Sequence, residues 1–405
     1  MSTPSDAIAD QNTSVVPQTT SQQTAERLPI LTNDLITAMV RAGKGVSDLI
    51  FSPGRLPQVE LSGNLIPVAF KGLGPLTPVQ TAQIASDLLV NNRIAAQALK
   101  EEGSADLSYS IAQVGRFRTN IFRQRGTYAI VMRVIASKIP TFEELGLPAE
   151  LCNIAELKTG LVLVTGPTGS GKSSTLAAII DLINQTKAEH IITIEDPVEF
   201  VHTHKKATIH QRELHSDTFS FASALRAALR QAPKVILVGE MRDKETIEIA
   251  LTAAETGHLV FSTLHTIDAA KTIERIIGVF PMSDQDAIRS RLAASFRYFV
   301  AQRLLPKADG KGRVAALEIL KSTLRTRSYV EAGESEGKSL LDAMRDGEQD
   351  GMQYFDGELE RFVRNGIITF DTAMTYATNP GNFRLELADY LAENPQLVAD
   401  GEIER

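Results

Sequence analysis

Eight consecutive residues, Gly166-Pro167-Thr168-Gly169-Ser170-Gly171-Lys172-Ser173, meet the template G-x-x-x-x-G-K-[ST] at every fixed position. Glycines at that spacing allow a tight turn whose backbone N–H groups face an anion, and the helix that follows points its N-terminus the same way. Lys172 is then placed for the β- and γ-phosphates of a nucleoside triphosphate and the Ser173 hydroxyl for Mg²⁺, with Ser174 adjoining them as a further nucleotide contact. The chemistry to expect is the binding of ATP with Mg²⁺.

Hydrolysis asks for more: a group that activates water, charge for the transferring phosphoryl group, and a metal shell. Two acidic clusters stand where the next strands should end: Glu195-Asp196 with Glu199 in IITIEDPVEF, and Glu240 in VILVGEMRD. Ligands of an open parallel sheet bind at the carboxyl ends of its strands, so both clusters should converge on the loop's edge. Gly239 occupies the place where many phosphate-loop proteins carry a metal-binding aspartate. That leaves Glu240 as the activator of water, with Glu195 or Glu199 assisting; Ser173, Glu195 and Asp196 are the expected metal residues. An acid just past a strand can equally be a solvent-facing turn or a cap. His258 and His265 frame the next strand in TGHLVFSTLHT, and a histidine beside phosphates can donate a hydrogen bond to the γ-phosphate and so report its presence. Zinc ligation by this pair is a poor alternative, because Cys152 is the single cysteine and the spacing of the two histidines fits no common zinc pattern.

Strand and helix must alternate to position these groups. Leu161–Thr165, Ile191–Ile194, Val235–Val238 and Leu259–Phe261 are nearly continuous apolar runs, as expected for strands covered on both faces. Between them Leu176, Ile179, Ile180 and Ile183, and then Ile247, Ala250, Leu251 and Ala254, recur at helical spacing. Residues 159–330 are therefore read as an α/β domain with a mostly parallel sheet. Residues 28–140 differ: Leu31, Leu35 and Met39 suit a helix, a hairpin turns at Ser62-Gly63-Asn64, and Thr77-Pro78-Val79-Gln80 is a capping box with Pro at the first helical position. This is a smaller α+β domain rich in hairpins. Residues 141–158 are read as a linker, 331–405 as an acidic helical segment with helices near Ser339–Arg345 and Phe355–Val363, and 1–27, rich in Ser, Thr and Gln, as a disordered tail.

Length and composition agree with this division. At about 150 residues per domain, 405 residues suggest two or three domains, and 43% hydrophobic with 22% charged residues suits an ordinary globular protein. No apolar run approaches the length of a transmembrane helix, and the first residues lack a basic start and an apolar core, so a cytoplasmic address is expected. The net charge of −7 is uneven: residues 331–405 hold 17 acids against 6 bases, and residues 28–330 hold 29 against 35. A mildly basic middle fits an anionic ligand. Without Trp or aromatic interleaving it is weak support for a nucleic-acid partner, and none is expected.

GPTGSGKSSTLAAIID, TIEDPVEF, the stretch from ILVGEMRD through ALTAAETGHLVFSTLHT, and AAKTIERIIGVFP together resemble the secretion-type hexameric ATPases, most of all those that retract type IV pili and drive twitching motility. The resemblance covers roughly residues 28–330. It implies a homohexamer of subunits, each with a PAS-like N-terminal domain and a RecA-like ATPase domain, cytoplasmic and peripheral at the inner membrane, acting on a membrane platform protein, with a paralogous accessory ATPase as a possible further partner. It also implies that Glu195, Asp196 and Glu199 fill the family's aspartate box, Glu240 its atypical Walker B position, and His258 and His265 its histidine box. Arginines of the N-terminal domain act on the nucleotide in such rings, and Arg118, Arg125 and Arg133 are the positional matches.

Three departures stand out. Ser47-Asp48-Leu49-Ile50-Phe51 replaces the usual S-D-L-H-L. Only Arg327 of the retraction-associated A-I-R-N-L-I-R-E motif is kept, with Glu331 where an arginine is usual. The acidic segment also runs past the usual end. Alternatives within and beside the family are pilus extension or type II secretion, and an accessory subunit that binds ATP and regulates a partner ring.

Overall fold

The computed structural model describes residues 27–135 and 138–394, so the expected tail lies outside them apart from Arg27. The chain divides into two compact units, Met1–Val134 and Ile135–Arg405.

In the first unit, strands β1 (Val46–Phe51), β2 (Gln58–Leu61), β3 (Asn64–Pro67), β4 (Ser104–Ile111), β5 (Gly115–Gln124) and β6 (Thr127–Ile135) form one sheet in the order β3-β2-β1-β6-β5-β4. The β2–β3 hairpin turns through Ser62 and Gly63, both at positive φ, which matches the twist of the flanking strands. The helix Thr32–Val40 buries Leu35, Ile36 and Met39. The helix Pro78–Leu89 starts on a reciprocal capping box between Thr77 and Gln80, with Pro78 in its first turn. Along β5, Phe117, Thr119 and Ile121 face the core and Arg118 is exposed, as strand alternation requires.

The second unit is built on β7 (Gly160–Thr165), β8 (His190–Glu195), β9 (Thr208–Glu213), β10 (Val235–Val238), β11 (Leu259–Leu264), β12 (Phe296–Pro306) and β13 (Arg313–Lys321) in the order β13-β12-β7-β11-β10-β8-β9. Five of the six neighbouring pairs are parallel, and only β12 with β13 is antiparallel. Strands β7, β10 and β11 are buried along their whole length because helices cover both faces. One face packs against the helices Phe221–Ala228, Lys244–Glu255 and Met282–Ser295. The other packs against the helix Lys172–Thr186 and the 3-10 helix Ala149–Glu156, whose Leu151 and Ile154 are fully buried within the segment 141–158.

The acidic segment shares a core with the sheet. Phe355, Leu359, Phe362, Phe370 and Phe383 pack against Ala301 and Leu305 of β12 and Ala316 of β13. Arg303 of β12 fastens it further, with its guanidinium 3.8 Å from the Phe355 ring centre and its Nη1 donating to the Tyr376 carbonyl at 2.9 Å. Beside it, buried Glu318 of β13 accepts the Ala269 N–H at 2.7 Å. Burial pushes the Glu318 carboxyl up to about 7, against the pull of that hydrogen bond and of Arg303.

Candidate nucleotide-binding site

Strand β7 ends at Thr165, and the loop Gly166–Gly171 carries the chain into the helix Lys172–Thr186. Three glycines lie at positive φ: Gly166 at 142°, Gly169 at 78° and Gly171 at 92°. For two of them the space is also closed. A Cβ on Gly166 would collide with the Gln302 carbonyl oxygen and come within 2.6 Å of the Ser170 hydroxyl, and one on Gly171 would meet Gln302 Nε2 at 2.8 Å. A loop folded this tightly keeps the first amides of the helix, which have no intrahelical acceptor, turned toward any anion in its cradle.

Gln302, on β12, belongs to none of the sequence motifs, yet it is the residue against which the loop is seated. It is buried, and its Oε1 accepts the Thr175 hydroxyl proton at 2.8 Å, tying the first turn of the helix to the strand. Gln302 is the one amide in the strand FRYFVAQRLLP, set between Ala301 and Arg303, and that is the signal that points to it.

Lys172 is buried and donates from Nζ to the carbonyls of Gly166 at 2.8 Å and Pro167 at 3.0 Å. Burial lowers its pKa, while the nearby charges of Glu199 and Glu240 oppose that shift. The two acids therefore lie close enough to be felt at the lysine. Glu240 follows β10, its carboxylate 2.7 Å from Arg242 Nε and 3.6 Å from His265 Nε2. Gly239 has a steric reason to replace an aspartate: a Cβ there would stand 3.2 Å from the Ile194 carbonyl oxygen and 3.4 Å from Glu195 Cα. The same glycine donates its N–H to Ile194 and accepts the Thr263 hydroxyl, locking the ends of β8, β10 and β11 together.

Glu195 closes β8, and its Oε1 accepts Thr193 Oγ1 at 2.6 Å and Gln211 Nε2 at 3.1 Å. Burial raises its pKa against those hydrogen bonds. Asp196 and Glu199 are exposed just beyond it, and Ser173 and Ser174 are half-buried at the start of the helix. The loop glycines, the unpartnered buried Ser170 hydroxyl, and a lysine flanked by carboxylates fit a nucleotide phosphate with its metal.

His258 is not brought to this edge. It precedes β11, its carbonyl accepts the Gly160 N–H, and its ring Nδ1 donates to Ala253 O at 3.0 Å. Gly160 begins the strand whose other end carries the loop, so within one chain His258 sits at the opposite edge of the sheet and its expected place beside its own phosphates is corrected. Arg118, Arg125 and Arg133 belong to the first unit; Arg125 is in the β5–β6 turn, and Arg133 Nε pairs with buried Asp48 at 2.9 Å.

Residues 77–346, two thirds of the chain, match the family described as Type II/IV secretion system protein. The chain is 45% identical over 342 residues to the "Type IV pilus retractation ATPase PilT" of Pseudomonas aeruginosa, covering 84% of this chain and 97% of that protein. It is 40% identical to the "Type IV pilus ATPase PilU" of the same organism, covering 84% of this chain and 88% of that protein. Its α/β fold superposes on the crystal structure titled "Pilus Retraction Motor PilT and Bound ADP" with a TM-score of 0.77 at 42% identity, over 87% of this chain and 98% of the other. No helix among the described residues is long and apolar enough to cross a membrane. On the match that spans the phosphate loop, Glu240 and His265 in one continuous stretch, the chain belongs to the type II/IV secretion system protein family.

Proposed function

We propose that this protein is an ATP-hydrolysing motor that powers type IV pilus retraction. The observation that carries the reading is the 45% identity, over 84% of its length, to a protein named as a retraction ATPase. The first unit is read as the PAS-like domain and the sheet of the second as the RecA-like domain of a homohexamer. The ring works at the inner membrane on a platform protein.

In this mechanism Lys172 exchanges its two loop carbonyls for phosphate oxygens, and the amides of the loop and first helical turn bind the rest of the anion. Ser173, Glu195 and Asp196 are the residues that would hold Mg²⁺, which when bound would supply positive charge for the transferring phosphoryl group. Glu240 takes the proton of the attacking water. Arg242 and His265 hold its carboxylate in place, and His265 reports the γ-phosphate to β11. Burial raises the pKa of Glu195, so of the three groups assigned to the metal it gives up its charge most readily. The exposed Arg118 and Arg125 act on a neighbouring subunit's nucleotide. Arg133 serves mainly its pair with Asp48.

A second reading, an accessory ATPase of the retraction machinery, is favoured by Glu331 standing where retraction motors usually carry an arginine. Deleting the gene and complementing with wild type or Lys172→Ala separates the two. Heavily piliated, non-twitching cells rescued only by wild type support the motor. Cells without surface pili would refute retraction, and full rescue by Lys172→Ala would indicate a role that needs no hydrolysis.

A further inference from the structure

Five of the seven histidines, His190, His202, His204, His210 and His215, fall within 26 residues of sequence, and the nucleotide site uses none of them. Two come together. His190 opens β8 and His210 lies on β9, the edge strand beside it, where the register sets Ile192 opposite His210. Their rings meet edge to face, with His190 Nε2 2.9 Å from His210 Nδ1.

The neighbours fix the protonation. His190 Nδ1 lies 3.0 Å from the Gln231 carbonyl oxygen, which can only accept, so that nitrogen carries the proton and Nε2 presents its lone pair to His210. A ring nitrogen bonded to a backbone carbonyl while the other faces outward is how metal-binding histidines are oriented. Two imidazole nitrogens bound at about 2.0–2.1 Å to one cation stand about 2.9 Å apart at a right angle and about 3.4 Å apart at a tetrahedral one. Chelation keeps the separation near its present value but turns each ring by roughly 35–45°, so that both lone pairs leave the N···N line and meet at one cation.

We propose that His190 Nε2 and His210 Nδ1 chelate a late first-row divalent cation, for which Zn²⁺ is the probe, at the outer edge of the ATPase sheet. The cation takes the place of the proton now shared between the rings, and His210 keeps that proton by moving it to Nε2. The remaining positions are filled by water. His204, whose ring centre is 6.0 Å from that of His210, is not a third ligand: its Nδ1 accepts the Ile209 N–H, which leaves Nε2 protonated. Imidazole favours Zn²⁺, Ni²⁺ and Cu²⁺ over Mg²⁺. The pair sits at the start of β8 and Glu195 at its end, roughly 16 Å away along the strand, so catalytic Mg²⁺ and this cation do not compete.

Calorimetric titration of the untagged full-length chain with Zn²⁺, in excess Mg²⁺ and without nucleotide, tests the site. One equivalent should bind to wild type. His190→Ala and His210→Ala should each weaken binding by about 10–100-fold, and His215→Ala, which removes an exposed histidine outside the pair, should leave it unchanged. Thermal melting checks that each variant folds; should His190→Ala fail, His210→Ala on the exposed edge strand carries the test. Unchanged affinity in the double variant, or an equal loss in His215→Ala, would overturn the proposal.

Discussion

Glu240 is held on two sides, by Arg242 at 2.7 Å and by His265 at 3.6 Å, so replacing its carboxylate should change chemistry more than position. Glu240→Gln keeps the shape and removes the base. We expect turnover to fall by about 10²–10⁴ while affinity for a fluorescent ATP analogue stays near wild type. An unchanged hydrolysis rate would remove Glu240 from its role. The loop glycines fail in a different way. Gly166→Ala places a side chain at φ 142° against the Gln302 carbonyl and should cost about 1–3 kcal/mol while abolishing nucleotide binding. Melting temperature and analogue binding read the two effects separately. Gly169, also at positive φ but with open space around its Cβ position, should tolerate alanine better.

At the scale of elements, β12 has two tasks in consecutive residues: Gln302 seats the phosphate loop, and Arg303 anchors the acidic helices through Phe355 and Tyr376. Gln302→Leu keeps volume but strands the Thr175 hydroxyl. It should cost about 1–3 kcal/mol in urea unfolding and raise KM for ATP more than it lowers kcat, because the loop loses its seat and not its reactive groups. A fall in kcat at unchanged KM would contradict this. These two tasks also show what a sequence can and cannot reveal. The strands flanking the loop were legible because a parallel sheet buried on both faces leaves unbroken apolar runs, and Glu240 and His265 were legible because motif residues stand at strand ends. Gln302 was not, since its partners lie 127 positions and more away in sequence. The helices after residue 331 read as a charged appendage because their acids outnumber the apolar residues that bury against β12 and β13. His258 and His265 frame β11 as the sequence suggests, but a strand's two ends lie at opposite edges of the sheet, so only His265 can reach the phosphate loop's edge.

At the scale of the whole molecule, two buried groups with opposite demands shape stability across mildly acidic pH. The folded pKa of Glu318, about 7, exceeds the ordinary 4.5. The native state therefore binds the extra proton between those values, and this group's stabilisation, full below pH 4.5, is lost as pH rises through 7. His202, packed near Asp181 and Lys205, is lowered by burial from 6.5 to about 4. There the unfolded state binds the extra proton, so the stabilisation is present above pH 6.5 and is lost as pH falls through 4. Each contribution is about 3 kcal/mol. Because the windows overlap with opposite sign, the pair should nearly cancel in wild type between pH 4.5 and 6.5. Glu318→Gln removes the first group and should expose a stability that declines toward acid. His202→Asn removes the second and should expose one that declines toward neutrality. Urea midpoints at pH 5, 6 and 7 separate the variants: parallel profiles for wild type and both variants would show that neither group's ionisation is linked to folding.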